Sequence, residues 1–144
     1  MFKNSEHYAD PTAGEAISNV MKEYRKQQKE KWNRQYALKH RKRVYVVSKY
    51  AGDIEGNVAR ARQYCRQVID AGFMPIASHL HYPEILEDAD PAEREMGLMF
   101  GLALLKLCDE VWCFVTDEGV STGMQAEIEE AKRLKKKIKY VEVD

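Results

Sequence analysis

The sequence predicts an α/β domain built on a parallel sheet, because four short strand-like runs alternate with helical patterns. The runs are rich in β-branched and aromatic residues and read RVYVVS from Arg43, FMPIAS from Phe73, EVWCFV from Glu110 and KIKYVEV from Lys137. Helical periodicity covers 55–71, 90–107 and 121–135 between them. This alternation is typical of a parallel sheet with helices on both faces. We therefore predict a flavodoxin- or Rossmann-like three-layer sandwich with a mostly parallel sheet of four to five strands, in the flavodoxin-like order.

Capping and turn residues indicate where these elements begin and end. Gly72 is expected as the C′ residue that ends the helix over 55–71. Pro75 cannot donate a backbone hydrogen bond, which favours a strand end or an edge of the sheet for the second strand. Asp90-Pro91-Ala92-Glu93 has the pattern of a capping box with proline at the first helical position, and Ser121 has that of an N-cap.

Residues 1–42 are expected to form a basic helical arm, outside an α/β domain over 43–144. Asp10-Pro11-Thr12 predicts the start of its helix, and an apolar stripe follows at helical spacing: Ala16, Ile17, Val20, Met21 and Tyr24. Trp32 and Tyr36 share one face of the polar remainder. Residues 1–43 carry eleven Lys and Arg against five Asp and Glu, whereas 44–144 carry twelve against eighteen. Such an arm either binds nucleic acid or packs on its own body or a neighbouring subunit; we favour packing and expect no nucleic-acid partner.

The composition argues for a cytoplasmic protein without a membrane partner. No apolar stretch approaches the roughly 18 residues of a membrane helix, and the opening MFKNSEHYADPT lacks the apolar region of a signal peptide. The three cysteines have no metal-ligand spacing and suit reduced thiols. His79 and His81 form the one local cluster that resembles a metal site, but no further ligands accompany them in the sequence. We therefore expect neither a metal nor a cofactor.

Ligands of such sheets bind beyond the carboxyl ends of the strands, where three polar loops are expected. The loop after the first strand contains Ser48, Lys49, Tyr50 and Gly52; the others contain His79 and the run from 116 to 123. His79 would contact a ligand or cap loop carbonyls, and Tyr50 would stack on a base or anchor its loop. The helix start at Ser121 favours phosphate or another anion, although serine also caps helices for stability alone.

Glu127 is the residue that points most directly to chemistry. At about 100° per residue it falls in the same arc as Val120, Met124 and Ile128, the face that would turn toward the sheet. A carboxylate there loses hydration, which is costly unless it has a role or a partner. Because the residue four earlier is Gly123, the helix leaves open space where the carboxylate points. A structural glutamate paired with a basic residue is the alternative.

These features resemble the nucleoside 2-deoxyribosyltransferase-like superfamily, which includes 2′-deoxynucleoside 5′-monophosphate N-glycosidases. The resemblance rests on the hydroxyl- and glycine-containing first loop, the CDEVW strand and the Ser-x-Gly-x-x-x-Glu motif of Ser121, Gly123 and Glu127. It covers roughly residues 43–143 and looks closest to a small bacterial and phage branch, in which SxGM and a glutamate follow such a strand.

The resemblance implies a role for each matching residue. Glu127 would be the nucleophile that attacks the anomeric carbon of deoxyribose, while Ser121 and Gly123, with Met124 beside them in the motif, would hold a 5′-phosphate. Tyr45 and the first-loop residues would complete the substrate site, and a homodimer is implied, often with the neighbour completing the site. One position departs: the catalytic aspartate that the superfamily carries on the helix before the third strand is Gly101 here.

We therefore expect an enzyme that cleaves or transfers at the N-glycosidic bond of a 2′-deoxynucleoside or its 5′-monophosphate. The alternative is a catalytically silent module of the same fold that senses or sequesters a nucleotide, which Gly101 favours. Either function requires a small-molecule nucleoside or nucleotide as partner, and copies of the chain are expected to associate as a dimer or larger assembly.

Overall fold

The structure, a computed structural model, describes residues 11–144; the N-cap expected at Asp10 and most of the opening segment lie outside it. The chain divides into two compact units between His40 and Arg41. Within the described residues, no helix has both the length and the apolar character needed to span a membrane.

The first unit contains helix α1, Pro11–Lys39. Its expected stripe is present on one face, but Ile17, Val20, Met21 and Tyr24 are all exposed. Near its end the rings of Trp32, Tyr36 and His40 stack successively, with centroids 5.1 and 3.8 Å apart. These stacks join side chains four residues apart, which are neighbours on a helix surface.

The second unit alternates strands and helices as the sequence predicts. Its elements are β1 (Arg43–Val47), α2 (Ile54–Asp70), β2 (Met74–Ile76), two 3₁₀ turns (Ser78–Leu80 and Tyr82–Glu84), α3 (Pro91–Leu107), β3 (Glu110–Val115), α4 (Thr122–Arg133) and β4 (Lys137–Glu142). The four strands are parallel, in the order β2-β1-β3-β4. This confirms the flavodoxin-like α/β fold, and it places β2, with Pro75, at an edge.

The sheet is covered on both faces, which makes three layers. Val44 and Val46 of β1 pack with the α2 side chains Tyr64 and Val68, whereas the alternate residues of β1 pack on the opposite face. That opposite core contains Tyr45, Val47, Leu105 of α3 and the α4 residues Met124, Ile128 and Ala131. Because successive strand residues point to opposite faces, a run apolar at every position is buried on both.

Several predicted boundaries need correction, each for a local reason. The second strand is shorter than FMPIAS, because the chain turns into a 3₁₀ helix at Ser78. Gly72 has the expected positive φ of +94° after α2, and the Asp90 side chain accepts from the Ala92 amide. The reciprocal half of the capping box is absent, because the Glu93 carboxylate accepts from the Glu87 amide instead.

Candidate functional site

A cavity of about 670 Å³ opens at the carboxyl edge of the sheet, on the face covered by α3 and α4. Strand β1 and the loop after it, the two 3₁₀ turns, α3 and the start of α4 all contribute to its wall. The sheet places the loops after β1, β2 and β3 at one edge because its strands are parallel. Eight of the residues singled out from the sequence line it: Tyr45, Ser48, Tyr50, His79, Ser121, Gly123, Met124 and Glu127.

Glu127 reaches this cavity from the second turn of α4. The helix begins at Ser121, whose Oγ accepts from the Met124 amide at 3.3 Å. Met124 and Ile128 are buried in the core beneath the helix, and this fixes the side of α4 that meets the sheet. Val120, also expected on that face, is instead 42% exposed, because it precedes the helix.

The Glu127 carboxylate is poorly compensated. Its Oε2 atom is buried and has no hydrogen-bond partner in the described part of the chain, although the side chain as a whole is only partly buried. Loss of hydration raises the pKa of Glu127 to about 7, against a smaller opposing effect of hydrogen bonding to Tyr45. The carboxyl group therefore exchanges its proton near neutral pH, a property suited to acid–base or nucleophilic chemistry.

A pair of hydroxyl groups occupies the floor of the cavity beside this carboxylate. The Tyr45 hydroxyl and the Ser78 Oγ lie 2.8 Å apart and share a hydrogen bond. Burial first, and then the negative charge of Glu127, raise the pKa of Tyr45, so the phenol keeps its proton and remains a hydrogen-bond donor. Ser78 was not among the predicted binding residues; its position at the end of the predicted strand FMPIAS was the available signal.

Gly101 packs directly against this pair. A Cβ atom built on Gly101 would lie 3.0 Å from the Ser78 Oγ and 3.1 Å from the Tyr45 hydroxyl oxygen. Side chains rarely approach so closely, so a residue with a side chain at this position would have to displace Ser78 or Tyr45. The departure from the superfamily pattern therefore has a structural counterpart: the two hydroxyl groups fill the space next to α3.

The loop after β1 is held at the rim by two sets of contacts. Ser48 Oγ and His79 Nε2 lie 3.0 Å apart, and the Tyr50 ring lies 5.8 Å from the His79 ring. Burial lowers the pKa of His79 to about 4, so its imidazole is neutral at physiological pH. The side-chain amide of Asn57 donates to the carbonyl oxygens of Tyr50 and Ala51, both at 3.0 Å; the sequence reasoning did not single out Asn57.

Two predicted residues, Lys49 and Gly52, do not line this cavity. Lys49 lines a second cavity of about 340 Å³, where it forms an ion pair with Glu118 and lowers the pKa of that carboxyl group. Gly52 has a φ of +97°, a backbone conformation that glycine adopts without strain. Its position indicates a turn before α2.

The described residues contain no group of three or more His, Cys, Asp or Glu side chains placed to hold a metal ion. His79 is hydrogen-bonded to Ser48. The ring of His81, two residues further along the chain, lies against the ring of Tyr82, with centroids 5.1 Å apart.

Comparisons with known proteins agree with this fold. A 2-deoxyribosyltransferase from Bacillus psychrosaccharolyticus superposes with a TM-score of 0.57 at 18% identity, covering 69% of this chain and 72% of that one. A 2-deoxyribosyltransferase from Leishmania mexicana gives a TM-score of 0.53 at 14% identity, covering 72% and 65%. No curated protein matches the sequence. At these identities the superpositions show a shared fold. The family model described as "Domain of unknown function (DUF7768)" matches residues 42–141, and the chain belongs to that family.

Proposed function

We propose that this chain cleaves or transfers at the N-glycosidic bond of a 2′-deoxynucleoside or its 5′-monophosphate, with Glu127 as the nucleophile. The observation that carries the proposal is the buried, unpartnered Glu127 Oε2 in a cavity at the carboxyl edge of the sheet. A buried carboxylate oxygen without a donor is costly to maintain, and a reaction that consumes the negative charge of Glu127 explains its presence. The fold shared with two 2-deoxyribosyltransferases supports the choice of substrate class.

The chemistry begins with attack of the ionised Glu127 on the anomeric carbon. A C–O bond forms between the carboxylate and C1′ as the C1′–N bond breaks, and the bond electrons leave with the base. The base takes up a proton, directly or after release. Water then attacks C1′ and regenerates the carboxylate, or a second base does so in a transfer reaction, in the manner of retaining glycosidases.

The remaining cavity wall suits a nucleoside. Tyr50 and Tyr82 provide aromatic faces on which a base can stack. The start of α4, with Ser121, Thr122 and Gly123, also lines the cavity, and a helix N-terminus favours an anionic group such as a 5′-phosphate. A Cβ atom at Gly123 would meet nothing within 4 Å, so space remains above this turn.

A second candidate is a catalytically silent module that binds the same ligands. It is favoured by Gly101, because the position that would carry the second carboxylate has no room for one while Ser78 and Tyr45 stay in place. In this function Glu127 would accept hydrogen bonds from a ligand without attacking it.

Other parts of the proposal rest on sequence expectations. They are a catalytic domain over 43–144 with an arm over 1–42, a place in the small bacterial and phage branch, a cytoplasmic location, reaction without a cofactor, and association of copies.

Chromatographic detection of free base tests the two candidates. The full chain is incubated with each 2′-deoxynucleoside and each 5′-monophosphate, beside Glu127→Ala and a control, Glu129→Ala, whose side chain is exposed on the same helix. Base release by the wild type and control but not by Glu127→Ala supports the enzyme. Calorimetric binding without release supports the silent module, and release by Glu127→Ala at the wild-type rate contradicts the mechanism. A second free base added to the reaction distinguishes transfer, which yields a new nucleoside, from hydrolysis.

A further inference from the structure

The charges of helix α1 are not spread evenly around it. Every residue over 15–40 is exposed. At about 100° per residue, one third of the circumference over 22–40 contains basic, aromatic and amide side chains and excludes both acidic residues of that stretch. This third is called here the basic aromatic face, and its members are Lys22, Arg25, Lys26, Lys29, Trp32, Asn33, Tyr36 and His40.

The four lysine and arginine side chains of this face are neighbours on the helix surface, because they lie three or four residues apart. None of the four forms an ion pair with another of the described residues, 11–144. The acidic residues Glu23 and Glu30 lie outside the face. Like charges at this spacing destabilise a helix, and a bound anion would remove that repulsion.

The stacked rings of Trp32, Tyr36 and His40 continue the face to the end of the helix. Their planes are inclined by 22° and 19° between successive rings. His40 keeps the helical spacing, because its amide donates to the Tyr36 carbonyl at 3.0 Å. Trp32 and Tyr36 are nonetheless 61% and 49% exposed. Rings that are ordered, exposed and adjacent to cations are suited to nucleic-acid bases, which stack on aromatic side chains whatever the base.

The apolar stripe of α1 lies on the opposite side of the helix. Ile17, Val20 and Tyr24 fall in the arc opposite the basic aromatic face. Packing of α1 through its apolar stripe would therefore leave the basic aromatic face uncovered. Packing and the binding of a polyanion are not exclusive, although the sequence alone favoured packing.

The position of the rings argues against a lipid surface as the partner. A helix that lies on a membrane places its apolar and aromatic side chains on one face and its basic residues on the other. In α1 the stacked rings share a face with the cations, and the apolar side continues beyond Tyr24 with Gln28, Lys31 and Gln35. Cations interleaved with exposed rings are typical of proteins that bind single-stranded nucleic acid.

We propose that the basic aromatic face of α1 binds single-stranded nucleic acid, DNA or RNA, without sequence preference. Its four cations contact phosphate groups, and Trp32 and Tyr36 stack on bases. Neither kind of contact reads the sequence, because phosphates are alike and every base has a ring face. The proposal is independent of the reaction proposed for the cavity of the second unit.

Fluorescence anisotropy of labelled oligonucleotides of about 20 nucleotides, thymidine DNA and uridine RNA, measures binding by the full chain. Binding of either one at low salt supports the proposal. The logarithm of the affinity is expected to fall with the logarithm of the salt concentration with a slope of about −3, because each of four cations contributes about −0.7. No binding at low salt, or equal or tighter binding of a duplex of the same length, overturns the proposal.

Two matched pairs of substitutions separate this face from the total charge of the helix. Lys26→Gln combined with Lys29→Gln is expected to weaken binding at least tenfold and to make the slope shallower by about 1.4. Lys31→Gln combined with Arg34→Gln removes the same charge outside the face and should leave the slope unchanged. An equal loss of affinity in both double variants overturns the proposal.

Trp32→Ala tests the stacking of bases. It is expected to weaken binding about fivefold or more, whereas Tyr24→Ala, which removes an exposed ring from the opposite side, should not change it. Alanine favours a helix, and circular dichroism verifies that both variants fold. Unchanged binding by Trp32→Ala overturns the proposal.

Competition distinguishes nucleic acid from other anionic partners. Polyglutamate carries negative charge without bases, so it should displace the labelled oligonucleotide less effectively than unlabelled oligonucleotide does. Equal displacement by polyglutamate would indicate an acidic protein partner, and tighter binding to vesicles of anionic phospholipid would indicate a membrane. Either result overturns the proposal.

Discussion

Replacing Glu127 with glutamine is expected to stabilise the folded chain, and the gain should grow with pH. The variant keeps the shape of the side chain and removes the charge of a carboxylate whose Oε2 is buried without a partner. Burial raises the pKa of Glu127 from 4.5 to about 7, so the folded chain holds this proton more tightly than the unfolded chain does. Stability is therefore lost as pH rises from about 4.5 through 7.

The magnitude follows from these two pKa values. Each tenfold change in proton affinity corresponds to about 1.4 kcal/mol, so the ionised carboxylate costs about 3 kcal/mol above pH 7 and about 1 kcal/mol or less at pH 5. Because part of the side chain reaches the cavity, solvent screening makes the larger value an upper limit. The quantity to measure is the stabilisation at high pH minus the stabilisation at pH 5, because changes in packing that do not depend on pH cancel in this difference.

Urea unfolding at pH 5 and pH 8, followed by tryptophan fluorescence, measures this difference, since Trp112 is buried. Glu129→Gln is the matched control: the same change two residues along α4, where the side chain is exposed. The free energy of unfolding of Glu127→Gln is expected to rise by up to about 2 kcal/mol more at pH 8 than at pH 5, and that of the control is expected not to rise. Equal behaviour of the two variants would refute the reasoning, because it would mean that the Glu127 carboxylate is fully hydrated.

Two further predictions concern the floor and rim of the cavity. Gly101→Ala should lower the free energy of unfolding, because its Cβ would meet Ser78 and Tyr45, and this should outweigh the roughly 1 kcal/mol by which alanine favours a helix over glycine. A thermal melt measures the loss of stability. The loss should be smaller in a chain that also carries Ser78→Ala, which removes the nearer oxygen. His79 should titrate near pH 4 in a nuclear magnetic resonance titration, because burial disfavours its charged form. The folded chain then loses stability as pH falls below about 6.5 toward 4. A titration midpoint of His79 near 6.5 would contradict its burial.

The fold could be predicted from sequence because its signals are local. Each strand is a short apolar run, and capping or turn residues such as Ser121 and Gly72 mark the helix ends. The sidedness of Glu127 was also predictable, because helical periodicity fixes its position relative to Met124 and Ile128, both of which are buried. Val120 is exposed instead, because it precedes the helix and does not follow its periodicity.

The details of the cavity depend on contacts between distant parts of the chain. Tyr45, Ser78 and Gly101 meet although they lie on three separate elements, and no local pattern shows that two hydroxyl groups fill the space beside Gly101. The direction of Lys49 is a similar case: the loop after β1 borders two cavities, and the sequence does not determine which one each side chain enters. Nor does apolar composition alone separate the buried side of α3, with Leu105, from its exposed side, with Met99.

The central claim, that Glu127 attacks the sugar, is tested most directly by trapping the bond it would form. The wild-type chain is mixed with a 2′-deoxynucleoside that releases base, quenched in acid at early times, digested and weighed by mass spectrometry. We expect a peptide containing Glu127 that is heavier by one deoxyribosyl group, and no such peptide from Glu127→Gln. Base release with the label on another residue, or undiminished base release by Glu127→Gln, would contradict it.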